Sequence, residues 1–188
     1  MGTEPNPQAT DHSRTGVASL LVLPSRWRDR TPTGRNHMRI VIAGDHNGFA
    51  LKARLTTRLT AQGHQVEDRG SFDPEETVDY PPLCADLCQQ ILDGKADRGI
   101  VIGGSGSGEQ MACNKIRGIR AGLGHDLFTT EISRAHNDAN VLIMGAKVIA
   151  PELAEQITDL WLTTAFKGGR HQQRLDQIAA LERGESII

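Results

Sequence analysis

The chain has 188 residues, 38% of them hydrophobic, and a net charge of −2, enough for one domain with a real core and no basic surplus to bind nucleic acid or an anionic membrane. Three cysteines without framework spacing exclude a disulfide scaffold and point to a reducing, cytoplasmic setting. Scarce aromatic residues argue against stacking platforms for single strands, and no apolar run reaches bilayer-spanning length.

Residues 1–37 differ from the rest, being polar, then basic and broken by Pro32, around one short apolar run at 17–23. Acidic residues precede that run and no small-residue cleavage site follows it, which is unlike a signal peptide. The composition predicts a disordered extension. Met38 directly precedes the first strand and is a candidate start of the natural product.

From Met38 the pattern becomes regular. MRIVIAG (38–44) predicts a buried strand, and DHNGF a loop. Leu51, Leu55 and Leu59 recur at helical spacing until Gly63. HQVEDRG (64–70) predicts a short strand, and Pro81 and Pro82 open a helix lined by Leu83, Leu87 and Ile91. Ile100, Val101 and Ile102 form a third strand, followed by the glycine run 103–108 and a helix from Glu109 through Met111, Ala112 and Ile116. IRAGLGH (119–125) predicts strand four, LFTTEISRAHN (127–137) a helix, and VLIMGA (141–146) strand five. Pro151 opens a helix that Gly168 and Gly169 break, and RHQQRLDQIAALE (170–182) makes the last. Alternating strands and helices imply a Rossmann-like three-layer αβα sandwich on a five-stranded parallel sheet.

In such sheets ligands bind at the carboxyl ends of strands, where Asp45 and His46, the glycine loop, and His125 and Asp126 are expected to converge. Gly103, Gly104, Gly106 and Gly108, interleaved with Ser105 and Ser107, can aim successive N–H groups at an anion, with the next helix's N-terminus behind them. The loop lacks the Gly-Lys-Ser/Thr of a nucleoside-triphosphate loop and the spacing of a dinucleotide fingerprint. It signals an oxyanion or phosphate, with the Glu109 carboxylate at its lip. Helix-terminal N–H groups would weaken that carboxylate as a base and desolvation would strengthen it.

Other polar residues carry a plain reading beside a functional one. Asp45 can be a helix cap, and His136-Asn137 a helix C-terminus. Arg170 and Arg174, four apart with His171 between, are either a solvated face or a phosphate grip. Cys84 and Cys88 read as core thiols, and no cluster of histidine, cysteine and carboxylate has metal-ligand spacing.

Taken together, IVIAGDHNGFALK, DYPP, GIVIGGSGSGEQMACNK, GIRAGL, SRAHNDANVLIMGAKV and GGRHQQR resemble the ribose-5-phosphate isomerase B family, in order from Met38 to about Glu182. The resemblance implies a sugar-phosphate isomerase domain over 38–188 that interconverts an aldose and a ketose phosphate without metal or organic cofactor. It implies Glu109 as the base, since the cysteine many members use falls at Gly103. Ser105 and the amides from Gly104 through Gly106 and Ser107 to Gly108 would hold the enediolate oxygen. His136, assisted by Asp45, would open the sugar ring; His46, Arg170 and Arg174 would grip the phosphate, and Asn137 a hydroxyl. Lys147 stands where close relatives can carry an arginine, which leaves that contact and the substrate's length open. The resemblance further implies a homodimer or dimer of dimers, with His136 and Asn137 reaching a neighbour's site. An isomerase of a tetrulose or hexose phosphate, or a non-catalytic sensor, are the alternatives.

Overall fold

The computed structural model describes residues 37–188; the extension expected over residues 1–37 lies outside the described residues but for His37. Among these the chain runs β1 (Arg39–Gly44), α1 (Phe49–Ala61), β2 (Gln65–Asp68), α2 (Tyr80–Leu92), β3 (Arg98–Gly103), α3 (Ser107–Cys113), β4 (Ala121–Leu123), α4 (Leu127–Ala135), β5 (Val141–Gly145), α5 (Pro151–Thr163) and α6 (Arg170–Glu182). The strands form one parallel sheet in the order β2-β1-β3-β5-β4. This is the αβα sandwich expected from the sequence.

Strand alternation divides the apolar residues between two faces. Ile40, Ile42, Ile100, Ile102, Leu142 and Met144 meet Leu51, Leu55 and Leu59 of α1 and Ile157 and Trp161 of α5. Val41, Ala43, Val101, Val141 and Ile143 meet Cys84, Leu87 and Cys88 of α2 and Cys113 of α3. Each face therefore has its own core, and the three central strands are buried on both sides. The edge strand β2 instead alternates, with Gln65 and Glu67 outward.

Right-handed crossovers then decide where a ligand fits. The step from β1 out to β2 puts α1 on the first face. The chain returns past β1 to β3 through α2 on the second face and continues to β4 through α3 on that same face. It comes back to β5 through α4 on the first, and α5 leaves β5 on the first face also. So α3 departs from β3 to one side while α1 and α5 leave the neighbouring strands to the other. A crevice opens at the carboxyl end of β3.

One departure from the expected elements bears on that crevice. The helix after the glycine loop begins at Ser107 and ends at Cys113, so Ile116 lies beyond it and Met111 is exposed. Its inward residues are Glu109 and Cys113. Ala112 and Ile116 still pack against the second core, but a carboxylate shares the helix's buried face and Met111 points outward.

The loops after β1 and β3 are drawn together. The Asp45 amide donates to the Ile102 carbonyl at 3.2 Å, and a Cβ on Gly48 would lie 2.1 Å from that oxygen. The obstacle is backbone and cannot swing aside. Gly48→Ala is therefore expected to destabilise the fold by about 2 kcal/mol or more, the range of core overpacking, read as a lower urea midpoint at unchanged slope; an unchanged midpoint would mean the two loops are not held this closely.

Candidate active site

The crevice is lined first by the glycine loop. The carbonyls of Gly103 and Gly104 accept from the amides of Ala146 (2.8 Å) and Lys147 (3.0 Å) in the loop after β5. A trans peptide points its N–H opposite to its carbonyl, so the amides of Gly104 and Ser105 face away from β5, towards the loop after β1. The turn needs glycine at position 106, where φ is +79° and a Cβ would meet Ile143 and Leu123 at 3.0 Å. Gly145 has no room for a side chain either, with the Ser105 carbonyl 2.7 Å from its Cβ position. The Ser107 amide reaches the Ser105 hydroxyl at 3.3 Å.

Glu109 folds back over the end of β3. Its Oε1 lies 1.8 Å from where a Cβ of residue 103 would be, so the carboxylate occupies the volume that any side chain there would need. The residue is only 4% exposed. Burial raises its pKa above the ordinary glutamate value; its own backbone N–H opposes this, and the negative charge of Asp45 adds to it. The contest between helix terminus and desolvation thus goes to desolvation. The helix α3 spans only seven residues, and a terminus near the surface contributes only about 0.3–1 kcal/mol.

Asp45 is buried and ordered by its own loop. Its carboxylate accepts from the Gly48 amide (2.9 Å) and from the Asn47 side chain (3.1 Å). Asn47 also lies 3.0 Å from Nε2 of His46, whose Nδ1 is buried without a partner among the described residues. Tyr80, at the start of α2, covers Gly108, with its hydroxyl 2.6 Å from that Cβ position. Asn47 and Tyr80 were not among the site residues expected from the sequence, although both lie within its motifs, DHNGF and DYPP. Lys147 is exposed beside the glycine loop. His125 does reach this edge, but it accepts from the Gly145 amide (3.0 Å), and burial lowers its pKa. Asp126 caps α4 through the Thr129 amide (2.8 Å). Both tie the scaffold together.

The remaining expected residues lie at the other edge. Helix α4 leaves the carboxyl end of β4 and descends nine residues, about 13 Å at helical rise, to the amino end of β5. His136 and Asn137 follow it there. The start of α6 joins them, since the Lys167 amide donates to the Ala135 carbonyl (3.0 Å) and the His171 and His136 rings stack. Arg170 and Arg174, both exposed, belong to this group, and neither has an ion-pair partner among the described residues.

The His136–Asn137 turn is firmly held. Asp138 has a φ of +44°, and its carboxylate accepts from Arg120 (2.8 Å) and Arg134 (2.7 Å). Arg120 also donates to the Asn137 carbonyl (3.1 Å), and Asn140 is tied to the Arg120 amide and the Gly118 carbonyl. One chain thus carries two clusters of candidate residues on opposite edges of its sheet.

The cysteines lie beneath the first cluster, with the Cys84 thiol 3.8 Å from the Glu109 carbonyl. All three are free and fully buried in the second core, and hydrogen bonding with the Cys84 and Cys88 thiols, with burial behind it, holds the Cys113 thiol far above its ordinary range. Among the described residues no group of histidine, cysteine and carboxylate is placed to hold a metal.

Because the Glu109 carboxylate is the end of a flexible chain, a side chain at 103 would displace it and leave the fold. Gly103→Ala is expected to keep the melting temperature within a few degrees while turnover falls about a hundredfold, as when a general base is lost. Retained turnover at full stability would show that the carboxylate is not needed where it sits.

Comparison with known proteins gives the family of the chain. Residues 40–178 match the model of the Ribose/Galactose Isomerase family. Ribose-5-phosphate isomerase B of Escherichia coli is 41% identical over 145 residues, 77% of this chain and 97% of that protein. A putative sugar phosphate isomerase of Bacillus subtilis is 39% identical over the same shares. Among solved structures, ribose-5-phosphate isomerase B of Clostridium thermocellum superposes with a TM-score of 0.77 at 40% identity, covering 79% of this chain and all of that one. The enzyme of Mycoplasma genitalium with bound ribulose-5-phosphate gives 0.75 at 34%, covering 78% of this chain and 99% of that one. With the family model matching residues 40–178 and relatives about 40% identical over nearly their whole length, the chain belongs to the ribose/galactose isomerase family.

Proposed function

We propose that residues 38–188 form an isomerase that interconverts ribose 5-phosphate and ribulose 5-phosphate through an enediolate, with Glu109 as the base. The observation that carries this is the buried Glu109 carboxylate over Gly103, next to amides aimed into the same crevice. Abstraction of a proton beside a carbonyl needs a base of raised pKa and donors where negative charge develops.

The reaction divides into two proton-transfer stages. Ring opening removes the proton of the C1 hydroxyl, delivers one to the ring oxygen and breaks the C1–O4 bond; His136 and Asp45 take these roles. Glu109 then removes the C2 proton, and the electron pair moves onto the C1 oxygen, held by Ser105 and the amides of Gly104 to Gly108. Return of that proton to C1 and transfer of the O2 proton to O1 leave the ketose. His46, Arg170 and Arg174 hold the phosphate, Asn137 a hydroxyl, and Lys147 adds a positive charge without a guanidinium's two-pronged grip. None of these steps requires a metal or organic cofactor.

His136, Asn137, Arg170 and Arg174 lie at the sheet edge opposite Glu109, which supports a site completed by a second copy of the chain. A homodimer brings one copy's amino-edge cluster to the other's crevice, and two-fold symmetry then makes two equal sites. A cytoplasmic setting fits three free thiols.

Glu109→Gln keeps size and polarity and removes the proton acceptor. It is expected to lower turnover at least about a hundredfold while a sugar-phosphate ligand still binds, and to slow exchange of the C2 proton with solvent in parallel. Near-normal turnover would reject Glu109 as the base.

A further inference from the structure

His171 has no part in the steps above, yet it is the most constrained histidine at the amino edge. It is 6% exposed, and its Nδ1 is buried without a hydrogen-bond partner among the described residues. Its ring lies 3.9 Å from that of His136, centroid to centroid, with 13° between the planes. The groups that face it are His136 just past α4, Lys167 from the connection between α5 and α6, and Arg170 and Arg174 from α6. Every one of them is a cation or can become one.

These facts fit a spectator better than a proton carrier. Burial, and then the positive neighbours, lower the pKa of His171, which disfavours a charge on this ring of the stack. Two stacked imidazoles would resist holding a charge each. An imidazole passes a proton in its own ring plane, and His136 sits just past a helix end, half-buried, where its side chain needs a support to fix that plane. Misplacement of a reacting group by even an ångström costs rate. Resting on the assignment of His136 to ring opening, we propose that His171 is a positioning residue: a platform beneath His136 that sets the plane in which it moves protons at C1 and the ring oxygen of the aldose phosphate.

The two directions of the reaction separate this role from general support. Ribose 5-phosphate enters as a ring and must be opened. Ribulose 5-phosphate, with its C5 oxygen phosphorylated, is acyclic, and Glu109 can exchange its C1 proton with solvent without any ring chemistry. His171→Ala and His171→Phe would be made in the full chain. Turnover of ribose 5-phosphate and deuterium exchange into C1 of ribulose 5-phosphate would be measured for each.

The expected result for His171→Ala is turnover lower by about tenfold or more, with exchange within about twofold of the unsubstituted enzyme, the pattern of one lost catalytic step. His171→Phe keeps a flat ring and should restore turnover to within about threefold. Equal loss of both activities in His171→Ala, unchanged turnover, or a phenylalanine variant as poor as the alanine one would overturn the inference. Absence of both turnover and exchange in the unsubstituted enzyme would instead sink the isomerase reading, and this inference with it; turnover without exchange would remove the step that His171 is held to spare and overturn the inference alone.

Discussion

The Glu109 carboxylate sits where it does because residue 103 has no side chain. Its oxygen lies 1.8 Å from the position a Cβ would take, closer than any two unbonded heavy atoms can come, so a side chain at 103 and this placement of Glu109 exclude each other. Much of the neighbouring structure serves that contact. Gly44 and Gly48 let the loop after β1 close on the Ile102 carbonyl, and Gly145 lets the loop after β5 close on Ser105. Each glycine removes a side chain so that three loops meet at the end of β3. Burial there raises the pKa of Glu109, the direction a base needs in order to accept a proton from carbon.

A second consequence follows from the path of the chain. In a parallel sheet, strand ends and helix ends alternate between edges, so residues after strands and residues after helices fall on opposite sides. Asp45, His46 and the glycine loop follow strands; His136 and Asn137 follow a helix. No adjustment of loops within one chain of this topology brings the groups together. The stiffness of the turn at 136–140, with Asp138 between two arginines, suits a cluster that must be presented outward in one geometry.

The fold was legible because both of its periodicities are strong. Leu51, Leu55 and Leu59 mark α1, and the runs in β1, β3 and β5 are continuous, as strands covered on both faces must be. The carboxyl-edge site was legible for a similar reason: a strand, a glycine run and a helix in succession leave little choice of shape. What could not be read was contact across the chain. Nothing local says that Glu109 fills the space over Gly103, that Tyr80 covers Gly108, or that His136 stacks on His171. The helix expected to run to Ile116 stops at Cys113. The winner between helix terminus and desolvation at Glu109 also depends on burial, which only the packed structure supplies.

In the proposed shared-site dimer each site takes Glu109 from one chain and His136 from another. The most direct measurement is subunit complementation between Glu109→Gln and His136→Ala, each purified and impaired alone, then co-refolded in equal amounts. With shared sites in a two-fold dimer, half the dimers are mixed and each mixed dimer regains one intact site, so activity should rise to about a quarter of the unsubstituted enzyme's. Activity that stays at the mean of the two variants, with mixed dimers shown to be present, would place both residues in the same site of one chain and rule out the shared site.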